Sequence, residues 1–237
     1  HADRRLYSPT ADQNIVVMGA GNWGFALACL IGYRILDSKK YQQASLTIFD
    51  PRTDIAKEMG LNRNGPGPFK DTLLPKNVFV TYDSSAAFRT ASEIIIAMKP
   101  ADFRTNFEKV LETSEQGLKV MIATRGFLPG SNTLSFIEGH EMVRRLGRKD
   151  IELFTLSGPV DPDTLVEGNT IKGILAGPAS GIETLSDLFD RSYIDAFLSD
   201  DPVGVQTADI LARIYAVWIS FLKASGRITD PVDIGYL

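Results

Sequence analysis

Gly19, Gly21 and Gly24 follow directly on the apolar run Ile15-Val16-Val17-Met18 and lead into Phe25-Ala26-Leu27-Ala28. A strand, a tight turn and a helix start in that order form a cradle for a pyrophosphate. The chemistry lies in the main chain. Gly19 permits the turn, Gly21 leaves room for a phosphate to approach the backbone, and Gly24 lets the helix pack close to the strand. The amides and dipole of the helix start attract the anion. Asn22 and Trp23 complete the loop, and with the three glycines they are candidate cofactor-binding residues.

A second strand is expected at Ser45-Leu46-Thr47-Ile48-Phe49, followed by Asp50, 26 residues beyond Gly24. A carboxylate there is placed to accept hydrogen bonds from the adenosine ribose hydroxyls. The competing reading is that Asp50 only opens a turn at Pro51-Arg52. Arg52 could pair with a 2′-phosphate, whereas Asp50 would repel one. NAD is the favoured cofactor, with NADP possible.

The elements that must position this cradle alternate along the chain. Strands are expected at 14–18, 45–49, 77–81, 93–98 and 118–123, with helices at 22–37, 53–59, 84–90 and 101–113 between and after them. Ile94-Ile95-Ile96-Ala97-Met98 is apolar throughout, as a strand covered on both faces should be. A helix at 132–146, a strand starting at Ile151, a strand at 170–176 and a helix at 179–189 follow. The segment 192–198 then leads to a long apolar helix at 204–224. This is an α/β chain with a Rossmann-like, doubly wound, mostly parallel sheet and a C-terminal apolar helix. Residues 1–13 read as a tail, 14–203 as the dinucleotide-binding domain, and 204–237 as the apolar helix and its tail. The turn-rich segment 62–68 reads as a mobile excursion.

With 237 residues, 44% hydrophobic and 23% charged, the chain has the composition of a soluble globular protein with a substantial core. A net charge of −4 argues against a nucleic-acid surface. One cysteine, Cys29, excludes an internal disulfide and suits a reducing, cytoplasmic setting. No run is read as long enough to span a bilayer, so no membrane partner is expected. With only His1 and His140 present, a histidine-based metal or triad site is not expected.

Several segments together resemble the N-terminal domain of NAD-dependent glycerol-3-phosphate dehydrogenases. They are Gly19 to Ala28, Leu74-Pro75, Ala97-Met98-Lys99-Pro100 with Arg104, and Ala123-Thr124-Arg125-Gly126. To these add Leu156-Ser157-Gly158-Pro159 with Glu167-Gly168-Asn169-Thr170, and Asp201-Pro202-Val203-Gly204-Val205-Gln206; the resemblance covers residues 14–215. It implies that Gly19 to Gly24 hold the pyrophosphate, that Met98 and Pro100 border the nicotinamide ribose, and that the loop at 157–159 closes the cleft. The substrate would be a small molecule.

The catalytic positions depart from the family pattern. Arg125 stands where the family has a lysine, and the position of the acid/base lysine falls on Ala212. Arg125 can bind a carbonyl or phosphate but is a poor proton shuttle. Lys99, at the end of a strand, is the first candidate to replace the lost base, if it is desolvated there. Asp161 and Asp163 are weaker candidates, since Asp-Pro-Asp is also an ordinary helix start. Two readings follow: a divergent nicotinamide-dependent oxidoreductase, or a dinucleotide-binding protein without turnover that acts as a sensor, regulatory subunit or partner-binding module. The helix at 204–224 is apolar on nearly all sides and so should be buried, and a second copy of the chain is the expected cover.

Overall fold

The apolar runs pair into one eight-stranded sheet in the computed structural model, which describes residues 13–41, 43–115, 117–158, 161–189 and 194–227. The strands are β1 (Gln13–Met18), β2 (Ala44–Phe49), β3 (Val78–Thr81), β4 (Glu93–Ile96), β5 (Leu118–Ile122), β6 (Ile151–Ser157), β7 (Ile171–Ala176) and β8 (Ile194–Ser199). They lie in the order β3-β2-β1-β4-β5-β6-β7-β8. All neighbours are parallel except β6 and β7. The chain winds outward first on one side of β1 and then on the other. A crevice therefore opens beyond the carboxyl ends of β1 and β4, where such sheets bind ligands.

The helices are α1 (Asn22–Asp37), α2 (Thr53–Asn62), α3 (Ser84–Phe88), α4 (Pro100–Thr113), α5 (Ser135–Arg145), α6 (Pro162–Val166), α7 (Ala179–Phe189) and α8 (Pro202–Ala224). Successive residues of a strand point to opposite faces. Ile15 and Val17 of β1 accordingly join Phe25, Leu27 and Ile31 of α1 and Leu185 and Phe189 of α7 in one core. Val16 and Met18 join Phe88 of α3 and Phe103, Phe107 and Val110 of α4 in the other. Each fully buried side chain of this size contributes about 1.5–3 kcal/mol. These two cores hold the strand ends, and hence the crevice, in place.

Two expectations need correction. The segment 62–68 is docked against the molecule. Phe69, only 4% exposed, stacks on Phe25 of α1 with ring centres 5.6 Å apart. Arg63 donates from Nη2 to the carbonyls of Pro75 and Val78. An arginine and a phenylalanine thus tie the loop to β3 and α1.

The second correction concerns α8. Its first turns are built into the sheet layer, with Val205, Gln206 and Asp209 buried, so residues 202–209 pack with the dinucleotide-binding domain. Gln206 donates from Nε2 to Ser135 and Thr155, and its Oε1 accepts from the Phe136 amide. Beyond that point Leu211, Ile214, Tyr215, Val217, Trp218 and Phe221 are exposed in the single chain, on the face that a second copy was expected to cover, while Leu222 is buried. By length and composition α8 is long and apolar enough to cross a membrane, against the expectation that no run reaches that length. The tail at 1–12, Pro159 of the closing loop, Ser192-Tyr193 and residues 228–237 lie outside the described residues.

Candidate functional site

The glycine loop joins β1 to α1 as expected. Gly19 has φ +113° and donates its amide to Phe49 at the end of β2. A Cβ at Gly19 would lie 2.8 Å from the Ala97 carbonyl, and one at Gly24 would lie 1.9 Å from the Gly19 carbonyl. Both glycines are therefore required by the backbone packing itself. A Cβ at Gly21 would meet nothing within 4 Å. That open space faces the start of α1, where Gly21 is the N-cap and no side chain caps the first-turn amides. The amides of Asn22, Trp23 and Gly24 are thus left for an anion. These residues fit a diphosphate.

Asp50 follows β2 and is fully buried. Its Oδ2 accepts from the Ala20 amide at 2.8 Å, which locks the loop to the second strand. Arg52 folds back onto the same carboxylate through Nε at 2.8 Å and Nη2 at 2.7 Å. Burial works to raise the carboxyl pKa, but the hydrogen bonds from Arg52 and Ala20 together outweigh it and hold Asp50 below its ordinary value. The predicted ribose acid and the predicted phosphate-binding arginine thus form one ion pair.

The far wall comes from the ends of β4 and β5. Met98 is 9% exposed and lies against Gly19, and Pro100 begins α4. Pro100 also approaches Gly126, so the β4 and β5 loops close on one another. Lys99 is the N-cap of α4 and is solvent-exposed. The described residues do not supply the desolvated setting that the sequence reading asked of it.

Arg125 sits over Trp23, with its guanidinium carbon 4.8 Å from the ring centre. Its pKa is lowered, first by burial and then by the nearby charge of Arg213, while Asp209 and Asp161 act in the opposite sense. Asp209 is buried on α8 and pairs with Arg213, Oδ2 to Nε, at 3.2 Å. Ala212 lies on the same helix and is exposed. Asp161 serves as the N-cap of α6, accepting from the Thr164 amide and hydroxyl, and Asp163 is exposed in the first turn. Arg104 pairs with Glu138 and donates to Ser131, which makes it a link between α4 and α5.

The sequence reading passed over Asp209 and Arg213. The available signal was an acid and an arginine four residues apart on an otherwise apolar helix, flanking the position where the lysine is lost. Asp209 pairs with Arg213, and the charges of both are felt at Arg125, so a buried carboxylate and two guanidinium groups share one neighbourhood. Such a cluster can bind an anionic or carbonyl oxygen and hold a proton acceptor close to it.

Comparison with known proteins bears on this arrangement. The family described as NAD-dependent glycerol-3-phosphate dehydrogenase N-terminus matches residues 14–177. The glycerol-3-phosphate dehydrogenase [NAD(P)+] of Streptococcus uberis is 24% identical over 218 residues, covering 91% of this chain and 61% of that protein. Its counterpart from Streptococcus thermophilus is 26% identical over 219 residues, covering 90% and 60%. The chain therefore spans about 60% of the length of these curated relatives. The solved glycerol-3-phosphate dehydrogenase of Saccharomyces cerevisiae superposes with a TM-score of 0.75 at 16% identity, over 92% of this chain and 65% of that one. At that identity the likeness shows the fold.

Proposed function

Because this chain belongs to the NAD-dependent glycerol-3-phosphate dehydrogenase family, we propose that it is a nicotinamide-dependent oxidoreductase acting on a small hydroxylated or phosphorylated substrate. One observation carries the reading. The open space at Gly21 faces uncapped helix amides, and Arg125 stacks beside it on Trp23.

When bound, the nicotinamide supplies the hydride-exchanging group. The chain's own residues do the rest. The amides of residues 21–24 bind the diphosphate, and Met98 and Pro100 border the ribose next to the nicotinamide. Arg125 orients the substrate's oxygen. Asp209 takes the hydroxyl proton in place of the lysine missing at Ala212, a role supported by its burial beside two guanidinium groups.

Titration with NAD+, NADP+ and their reduced forms, read by tryptophan fluorescence, followed by a screen of small hydroxy compounds at the nicotinamide absorbance band, tests the proposal. Saturable binding with substrate-dependent absorbance change is expected. Binding without turnover on any compound would favour the purely dinucleotide-binding role.

The exposed apolar face of α8 supports a further part of the proposal, a homodimer built through residues 204–224. The buried, unpaired thiol of Cys29 agrees with a reducing, cytoplasmic setting.

A further inference from the structure

The exposed face of α8 has a spacing that reads the same from either end. Leu211, Ile214, Trp218 and Phe221 stand three, four and three residues apart, so they line one stripe of the helix, and its midpoint is Ala216. Tyr215 and Val217 flank the stripe, one on each side. All six side chains are about half exposed or more. Asp209, Arg213 and Lys223 are turned away from the stripe by more than a quarter of a turn, so no charge interrupts it.

The two halves of the stripe differ in shape. Leu211 and Ile214 form an aliphatic half toward the buried end of the helix, whereas Trp218 and Phe221 stack on one another with ring centres 5.9 Å apart and form an aromatic half. A parallel partner would set aromatic on aromatic at one end and aliphatic on aliphatic at the other, which leaves layers of unequal thickness. It would also bring two globular bodies to the same end, since Val205, Gln206 and Asp209 are packed into the domain just before Leu211. An antiparallel partner removes both conflicts. About a two-fold axis at Ala216, Leu211 meets the partner's Phe221 and Ile214 meets the partner's Trp218, so every layer holds one aliphatic and one aromatic side chain. The helix dipoles then run in opposite directions, which is the favourable arrangement. Tyr215, Trp218 and Phe221 alone leave on the order of 300 Å² uncovered per chain. With the aliphatic residues, a pair removes on the order of 1,000 Å² from water, the area that a specific interface needs.

We infer that α8 joins two copies of the chain as an antiparallel helix pair centred on Ala216. The inference rests on the homodimer proposed above and fixes its register. Each Asp209 is seven residues from the axis, so the two carboxylates lie about 20 Å apart along the helices and each copy keeps its own site.

Disulfide trapping tests the register in the full chain, where Cys29 is the only other cysteine and is buried. The double variant Leu211→Cys/Phe221→Cys should be trapped as a covalent dimer under mild oxidation, because facing Cα atoms come within about 7 Å. Leu211→Cys alone and Phe221→Cys alone should give at least about tenfold less, since in each the two thiols stand about 15 Å apart along the helices. Light scattering needs no variant and should show the unsubstituted chain as a dimer. A dimer in which the double variant fails to trap, or in which either single variant traps as readily, overturns the register and leaves the homodimer reading standing. A monomer, whether free or bound to phosphatidylcholine vesicles, overturns both.

Discussion

The guanidinium of Arg125 lies over the indole of Trp23, 4.8 Å from its centre, and so joins the loop after β5 to the first turn of α1. An arginine on an aromatic face contributes about 0.5–1 kcal/mol when exposed and about 2 kcal/mol or more when desolvated. Arg125 is half-buried, which places its contribution between those figures.

Arg125→Ala should therefore lower unfolding stability by about 1–2 kcal/mol. It should also shift the tryptophan emission of the folded chain. Arg125→Lys should recover part of both. Urea midpoints and emission spectra of the two variants check this, and an unchanged spectrum in the alanine variant would show that the stack is not made in solution.

Asp209 and Arg125 separate chemically. If Asp209 holds the proton acceptor, Asp209→Asn should lower turnover by about 100-fold or more, the scale of a lost general base. Dinucleotide affinity should hardly move. Steady-state kinetics beside a binding titration reads both, and equal losses in kcat and affinity would point to a structural role instead.

The glycines of the cradle should respond in opposite ways to one methyl group. Gly24→Ala places a carbon against the Gly19 carbonyl and should cost about 1–3 kcal/mol or more of stability. Gly21→Ala has open space around it and should leave the thermal midpoint nearly unchanged. It should still weaken dinucleotide binding strongly, because the methyl takes the room meant for phosphate. Thermal melts and titrations of both variants distinguish a packing glycine from a binding glycine.

Acid should loosen the Asp50–Arg52 pair. The folded carboxyl is held below its unfolded value, so its contribution is complete above about pH 4 and is lost as pH falls through the folded value. Asp187 is lowered too, first by its hydrogen bond from Lys40, and its partial exposure makes its share smaller. Chemical denaturation between pH 3 and 7 should show stability falling toward acid, with a shallower fall in Asp50→Asn.

The Gly19–Gly24 loop and the alternating elements were legible because a phosphate turn and a doubly covered strand each constrain residue type at every position. The exposure of Lys99 was not legible: the end of a strand fixes where Cα sits, whereas burial depends on what packs over it, and α4 begins there without covering the side chain. The segment around Phe69 looked like an excursion because turn formers dominate it, and one aromatic stack onto Phe25 reverses that. Helix α8 had the opposite fault, since its apolar residues say that a surface wants cover without saying from where. Asp209 was hidden by the same apolar background and emerged only when β5 and α8 were brought together through Arg125.

Gln206 anchors one end of α8 to α5 and β6, while the stretch 211–218 stands clear of the body. Between the two lies Asp209. The inner end of the helix is thus held by Val205, Gln206 and Asp209 together. A copy of the chain docked on the outer stretch would therefore touch the same continuous helix that carries the Asp209 carboxylate.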